Sequence, residues 1–374
     1  MTWTDFNINW HRCFAEKWQR LDKRLESDDI DVLIVQDLPN VRYLTGYSAY
    51  LAIATLHDQL AVYIKGGRRP YLLPPRYYAD FARKNFPWND VHEMPSGEWL
   101  VWLSTKLADA RCIGYAGLTY EFGRALAKSL EQVTLVDCAQ ALAELRAVKT
   151  SDEIEILRRA SVIAEAGMAA GIAACRVGAH ETDVSAEAER VMRALGAESH
   201  SIVMRGVNAS ILQELSSTAI LGNTDLVLLD LGCWWQGYRA EFARTVVVGD
   251  PTPSQRGAFL AVYEALMAAQ DKVSPGSQFG DVVSAAQAVL DQAGFAAYPL
   301  NHPMGHGIGV VGSEYPVVKA TSTVELTPNM VINLEPGLFI PEEAIGIRLE
   351  NMLLVTETGC EILTLTPFDR VLLA

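Results

Sequence analysis

Four carboxylates interrupt apolar segments of the chain that otherwise have the composition of buried β-strands. Asp230 lies within Val-Leu-Leu-Asp-Leu, and Glu241 follows eleven residues later, on a segment that would return beside it as the second strand of a hairpin. Glu335 and Glu350 occupy comparable positions in two later strand candidates. A buried ionised carboxylate is costly, so it either takes up a proton or meets a cation. The fold must therefore provide compensation for each of these side chains.

A cation site accounts for all four carboxylates at once, because several carboxylates share one cavity where metal charge neutralises them. His306, in the sequence His-Pro-Met-Gly-His-Gly-Ile-Gly, supplies a candidate nitrogen ligand. Four carboxylates and one imidazole suit a pair of Mn, Fe, Co or Zn ions, which in two-metal hydrolases stand ~3.5 to 4 Å apart. Calcium sites normally contain no histidine. The pattern therefore favours a transition-metal centre over a calcium site.

A structural ion pair is the competing interpretation. Arg348 lies two residues from Glu350, so the two side chains would share one face of a strand and neutralise each other. His302 and His306 have the i, i+4 spacing of a helical zinc motif, but Pro303 and the neighbouring glycines favour a loop or strand. The residues by themselves leave both a metal site and an ion pair open.

Composition bounds the class of protein. The 374 residues contain 31 Lys and Arg against 45 Asp and Glu, a net charge of −14, with 50% hydrophobic and 20% charged residues. An acidic field repels phosphate backbones, and this balance is typical of packed globular proteins, so neither nucleic-acid binding nor disorder is expected. The six cysteines form no CxxC pair, and no signal peptide or membrane-length apolar run is visible. We therefore expect a cytoplasmic protein without a membrane partner.

Two domains are expected, because domains typically run ~100 to 200 residues. Short apolar runs alternate with amphipathic segments as far as Ala147, a pattern typical of an α/β layer domain. The sequence Lys149-Thr-Ser-Asp-Glu153 then carries a Ser/Asp helix cap ahead of apolar residues at helical spacing. We place the boundary there, with domains at 1–148 and 149–374. The helices predicted for the second domain are at about 151–175, 180–195, 253–271 and 279–294.

Short motifs surround these residues in a fixed order along the chain. In the C-terminal part they are Asp230-Leu-Gly-Cys-Trp-Trp-Gln-Gly-Tyr-Arg-Ala-Glu-Phe-Ala-Arg-Thr245, Gly305-His-Gly-Ile-Gly309, Glu335-Pro-Gly337 and Arg348-Leu-Glu350. Together they resemble the pita-bread fold of creatinase, prolidase, aminopeptidase P and methionine aminopeptidase. Asn40-Val-Arg-Tyr-Leu-Thr-Gly46 resembles the creatinase-type N-terminal domain. The resemblance implies an α+β chain, with a C-terminal pita-bread catalytic domain and a smaller α/β creatinase-type N-terminal domain.

Carried over to this sequence, the resemblance implies a metal centre with catalytic neighbours. The implied metal ligands are Asp230, Glu241, His306, Glu335 and Glu350. The peptidases have Asp at position 241, and the longer arm of Glu241 changes the second metal position, so we expect one or two divalent ions (Mn, Fe, Co or Zn). Glu335 would act as ligand and proton acceptor, and His302 with Arg348 would steady the substrate and the tetrahedral intermediate.

The predicted substrate-binding residues depart from the family pattern. Two histidines of relatives that cleave Xaa-Pro bonds align with Gln213 and Ser313. A histidine carries a proton near neutral pH, whereas Gln and Ser only form neutral hydrogen bonds. Glu314 matches the family, and Trp235, next to Trp234, is a candidate pocket wall or contact for a cationic group. We therefore predict that Gln213, Ser313, Glu314 and Trp235 bind the substrate.

Three functions remain open. The leading hypothesis is a metal-dependent hydrolase of a small amide or peptide-like C–N bond, similar to an Xaa-Pro peptidase but not a standard proline dipeptidase. The second is a metal-dependent lyase on the same fold, because the lyase that cleaves dimethylsulfoniopropionate has segments similar to Glu314-Tyr-Pro316 and Pro367-Phe-Asp369; ectoine hydrolase is another small-substrate relative. The third, a catalytically silent binding module, is disfavoured by four retained ligand types. The resemblance also implies a homodimer that acts on a small-molecule substrate.

Overall fold

The structure, a computed structural model, describes residues 8–48, 58–205, 216–300 and 303–374. By its internal contacts the chain divides into two compact units, Met1–Arg146 and Ala147–Ala374. Each unit has its own hydrophobic core. The domain boundary predicted from the sequence lies two residues beyond this division.

The N-terminal unit is a six-stranded mixed sheet with helices on both faces. Its helices are α1 Trp10–Ser27, α2 Leu38–Thr45, α3 Ala79–Asn85, α4 Trp99–Lys106, α5 Tyr120–Ser129 and α6 Ala139–Ala147. Its strands are β1 Val32–Val35, β2 Leu60–Ile64, β3 Tyr71–Leu73, β4 Asp90–Val91, β5 Cys112–Ala116 and β6 Thr134–Asp137. They pair in the order β4-β3-β2-β1-β5-β6.

The central strand of this sheet explains why the unit is layered. Strand β1 is antiparallel to β2 and parallel to β5, and all four of its residues are buried. Val32 and Ile34 pack with Trp99 of α4 in one core cluster. Leu33 and Val35 point to the opposite face and pack with a second cluster that contains Leu21 of α1. A strand buried on both sides reads as a continuous apolar run, as Val-Leu-Ile-Val does here.

The C-terminal unit contains the remaining elements. Its helices are α7 Ser151–Ala174, α8 Glu181–Ala194, α9 Pro253–Gln270, α10 Phe279–Leu290 and α11 Arg370–Leu373. Its strands are β7 Ser199–Arg205, β8 Asp225–Trp235, β9 Tyr238–Val248, β10 Gly305–Gly307, β11 Glu314–Val318, β12 Val331–Leu334, β13 Gly337–Ile340, β14 Ile345–Arg348, β15 Asn351–Val355 and β16 Cys360–Ile362. The sheets have the orders β7-β8-β9, β11-β10-β12-β15-β16 and β13-β14.

Helix α7 begins at the predicted position and covers one face of the β8–β9 hairpin. Its N-cap is Thr150 rather than the predicted Ser151 or Asp152, and Thr150 forms a reciprocal capping box with Glu153. Gly171 of α7 lies so close to β8 that a Cβ there would stand 2.8 Å from the Leu229 side chain. The Cys233 thiol of β8 contacts the Ala160 carbonyl at 3.6 Å. The β8 residues that point toward α7 therefore pack in the hydrophobic core.

The opposite face of the hairpin carries two of the four carboxylates. A two-residue turn joins β8 and β9, and both of its residues have positive φ (Gln236, 54°; Gly237, 78°), as a type I′ hairpin requires. The resulting register sets Gly232 opposite Glu241. Asp230 lies two residues from Gly232, so it shares a face with Glu241. The alternation therefore places both carboxylates on the side away from α7.

The five-stranded sheet brings the other two carboxylates to the same place. His306 of β10 is paired with Asn333 of β12, and Leu334 is paired with Asn351 of β15. Glu335 and Glu350 lie one residue beyond these paired positions, next to each other at the end of the two strands. The Glu350 amide donates a hydrogen bond to the Ala243 carbonyl at 3.0 Å, which ties this sheet to β9.

None of the described helices is both long and apolar enough to cross a bilayer.

Candidate metal centre

The centre of the site is a group of three side chains whose donor atoms converge. One donor atom each of Glu241, His306 and Glu350 lies within 4.8 Å of the other two. The His306 Nε2 atom is 3.5 Å from Glu241 Oε1 and 3.7 Å from Glu335 Oε1. The three residues come from β9, β10 and the link between β14 and β15. Separate parts of the unit therefore supply a mixed nitrogen and oxygen donor set around one point.

Arg348 bridges the two remaining carboxylates of the site. Its Nη1 atom is 3.0 Å from Asp230 Oδ2 and 3.0 Å from Glu335 Oε2. The guanidinium is almost completely buried, with 7% of its side chain exposed. The sequence prediction that Arg348 pairs with its strand neighbour Glu350 is not what these contacts show, because the side chain turns toward the hairpin and the end of β12. One site therefore contains both ion pairs, formed by Arg348, and a group of converging donor atoms that could hold a metal ion.

Asn333 orients Glu350 and was not anticipated from the sequence. Its Nδ2 atom donates to Glu350 Oε1 at 2.7 Å and to the Glu241 carbonyl at 3.3 Å. The residue is fully buried in β12. The available signal was the polar side chain inside Val-Ile-Asn-Leu, an interruption of the same kind as the carboxylates.

Arg239 is a second cation in the site that sequence reasoning missed. Its Nε atom donates to Glu241 Oε2 at 2.6 Å, and Nη2 contacts the same oxygen. Its guanidinium lies 4.2 Å from the centroid of the Trp234 ring, in cation–π geometry. The signal was spacing, because Arg239 and Glu241 are two residues apart on one strand and therefore share a face.

Burial and mutual repulsion change the proton affinity of the carboxylates. Burial raises the pKa of Glu350 well above its ordinary value, and the neighbouring carboxylates of Glu335, Asp230 and Glu241 raise it further. Burial also raises the pKa of Glu335, although Arg348 and His306 oppose the change. Burial alone would lower the pKa of Arg348, but the adjacent carboxylates raise it. A cation placed among these groups would favour their ionised forms.

This charge distribution predicts a pH-dependent stability of the metal-free protein. A carboxyl group whose pKa is raised on folding holds its proton more tightly when folded, so its contribution to stability is lost as pH rises above the unfolded value near 4.5. We therefore expect Glu350→Gln to melt at a higher temperature than the wild type at pH 8 in EDTA, by roughly 2–4 °C per kcal/mol regained. At pH 5 the difference should shrink. Thermal melts at both pH values measure it, and a variant equally destabilised at both would contradict it.

The residues present fit a divalent ion. Carboxylate oxygens and an imidazole nitrogen form the donor set that Mn, Fe, Co and Zn accept. The carboxylates are buried next to one another, which is unfavourable for their ionised forms unless a cation joins them. Asn333 holds Glu350 as an outer partner of the kind that orients metal ligands.

The predicted substrate-binding residues lie in different surroundings. Trp235 is not brought to the carboxylate face, because alternation along β8 points it toward the core, where it is 4% exposed. Trp234 is the aromatic residue on the site face. Glu314 is buried in β11 and forms an ion pair with Lys149 at 3.3 Å. Ser313 is exposed just before β11. Gln213 and the predicted catalytic residue His302 lie outside the described residues.

Comparison with protein families decides the class of the chain. Residues 155–357, more than half of the chain, match the model of metallopeptidase family M24. The chain belongs to metallopeptidase family M24. Residues 17–148 of this M24 chain match the creatinase/prolidase N-terminal domain. It is therefore a metal-dependent hydrolase, of a family that uses divalent metal ions.

Individual relatives are similar in sequence to this M24 chain over nearly its whole length. An Xaa-Pro dipeptidase of Pyrococcus horikoshii is 28% identical over 366 residues, covering 95% of this chain and 99% of the relative. A putative dipeptidase of Bacillus subtilis is 30% identical over 372 residues, again covering 95% and 99%. The crystal structure of a P. horikoshii prolidase superimposes with a TM-score of 0.85 at 27% identity, covering 95% of this chain and 99% of that chain. The predicted α+β architecture, with creatinase-type and pita-bread domains, is confirmed.

Proposed function

We propose that this M24 chain hydrolyses the C–N bond of a small dipeptide or peptide-like amide at the centre formed by Glu241, His306 and Glu350. The observation that carries the proposal is the convergence of their donor atoms within 4.8 Å, beside Glu335. The same three residues would hold the ion, with Glu335 and Asp230 as flanking ligands. Similarity to Xaa-Pro dipeptidases supports the peptide-like substrate.

A bound divalent ion supplies Lewis-acid chemistry for hydrolysis. The chain's own residues supply the proton transfer. Glu335 Oε2 is held by Arg348 at 3.0 Å, which leaves Oε1 facing His306. In its ionised form Glu335 would accept a proton from water and pass it to the leaving amine. Arg348, held between Glu335 and Asp230, adds positive charge next to the developing oxyanion.

The substrate preference proposed is not that of a standard proline dipeptidase. The resemblance to peptidases that cleave Xaa-Pro bonds implies a histidine at position 313, and the exposed serine found there carries no charge. Glu314 is engaged by Lys149 in the interior, so its carboxylate is neutralised within the fold. The uncharged Ser313 supports a site that accepts small amides without the usual clamp on a prolyl carboxylate. We also propose that the chain forms a homodimer and that the bound ion is Mn, Fe, Co or Zn.

Metal content and turnover test the proposal together. Full-length protein reloaded with Mn²⁺ is incubated with Xaa-Pro dipeptides, other dipeptides and small N-acyl amides, and the products are weighed by mass spectrometry. We expect products whose summed mass exceeds that of the substrate by one water. In His306→Ala, metal affinity should fall by more than the roughly 10–100-fold that loss of an outer partner costs.

The control is His11→Ala, which removes an exposed histidine of the N-terminal unit. It should leave metal content and turnover unchanged. Products with no added water would replace hydrolysis by elimination. Full activity in metal-free protein, or in folded His306→Ala, would overturn the proposal.

A further inference from the structure

We propose that Arg239 is a built-in replacement for a second metal ion, so that the centre holds one divalent ion per chain. The inference rests on the proposed function, because it requires that the centre binds metal. The Arg239 guanidinium forms an ion pair with Glu241, one of the three converging ligands. It supplies the positive charge that a second ion would otherwise supply.

The two oxygens of the Glu241 carboxylate face different partners. Oε2 accepts a hydrogen bond from Arg239 Nε at 2.6 Å, and Oε1 faces His306 Nε2 at 3.5 Å. A carboxylate with one oxygen held by a guanidinium has its other oxygen left to offer to a metal ion. Here one oxygen is taken by a guanidinium, and the other points toward the single cluster of donor atoms found among the described residues. Asp230 lies outside that cluster, at its flank, and its Oδ2 atom contacts Arg348 at 3.0 Å.

The charges of the site agree with one ion. Its carboxylates are Asp230, Glu241, Glu335 and Glu350. In their ionised forms the four carry −4. Arg239 and Arg348 contact three of them and contribute +2, which leaves −2. One divalent ion neutralises this remainder, whereas two would leave an excess of positive charge in a buried site.

Arg239 is fixed in place rather than a mobile surface cation. Its side chain is 6% exposed and lies over Trp234 at 4.2 Å. Its amide donates to the Gly309 carbonyl at 2.7 Å. A Cβ at Gly312 would stand 2.8 Å from Arg239 Cδ and Nε, so the loop after β10 closes directly over the guanidinium. Displacing this side chain to admit a second ion would break its contacts with Glu241 and Trp234.

Metal stoichiometry tests the inference without any measurement of activity. Full-length wild type, Arg239→Met and Arg239→Lys are stripped with EDTA and titrated with MnCl₂ by calorimetry, and ion counts are read by native mass spectrometry. Met keeps an apolar contact on Trp234 but removes the charge, and Lys keeps the charge. We expect about one Mn²⁺ per chain for wild type and Arg239→Lys, and about two for Arg239→Met, because removal of the guanidinium charge must be compensated.

Each outcome has one meaning. Two ions in the wild type would overturn this inference and leave the proposed function intact, whereas no bound ion would overturn the proposed function itself. A folded Arg239→Met that still binds one ion would also overturn the inference. If circular dichroism shows that Arg239→Met is not folded, Arg239→Gln, which is neutral and able to form a hydrogen bond, replaces it with the same expectation.

Discussion

Glu335→Gln is expected to lower kcat/KM by about 10³-fold, because the amide keeps the shape of the side chain but cannot accept a proton. The carboxylate lies between His306 at 3.7 Å and Arg348 at 3.0 Å, with 12% of its side chain exposed. The loss should fall mainly on kcat, since the substituted group acts in the chemical step. Steady-state kinetics on the substrate identified by mass spectrometry measure it.

Glu342→Gln is the matched control. Glu342 is exposed in the short turn that follows β13, only seven residues along the chain, and it has the same charge. It should leave kcat and KM essentially unchanged, because substitution of an exposed carboxylate away from the site has little effect on stability or catalysis. A Glu335→Gln protein that is folded, loaded with metal and as active as the control would show that Glu335 does not move the proton.

Gly232→Ala is expected to destabilise the protein by about 3 kcal/mol, because the added methyl group cannot be accommodated. Its Cβ would stand 2.3 Å from the Ala240 carbonyl oxygen and 2.6 Å from the Glu241 Cβ. The contact is with the backbone of the paired strand, so relief requires the hairpin to open next to Glu241. The melting temperature should fall by roughly 6 to 12 °C, and affinity for Mn²⁺ should fall with it.

Gly257→Ala makes the same change of residue where space is free. Gly257 lies on the exposed side of α9, and a Cβ there meets nothing within 4 Å. Alanine should stabilise the helix by about 0.5–1 kcal/mol, since it restricts the unfolded chain. Equal melting temperatures for the two variants would mean that the close approach at Gly232 is not a constraint.

The sequence predicted those parts of the fold that periodicity and caps report. The helices α7, α8, α9 and α10 follow from apolar spacing and caps, and the β8–β9 hairpin from two consecutive apolar segments. The converging ligands were identified because a carboxylate inside an apolar strand is conspicuous. The sequence did not predict which groups these ligands contact, because the register between separate strands decides which oxygen faces which cation.

Other features had no local signal. Helix α2 contains a proline and lies in a segment that resembled a motif rather than an amphipathic helix. Helix α4, Trp-Leu-Val-Trp-Leu-Ser-Thr-Lys, is apolar on most sides, so its period is obscured. The choice between Trp234 and Trp235 depends on the phase of alternation along β8, which only the pairing of Gly232 with Glu241 fixes.

The β8–β9 hairpin separates two kinds of requirement along a single ribbon. One face carries Asp230, Glu241 and Arg239, and the other is pressed against α7 through residues such as Leu229 and Cys233. Adjacent positions of one strand therefore have separate consequences when substituted. A change on the site face is expected to alter metal binding with the core contacts intact, whereas a change on the other face is expected to alter stability.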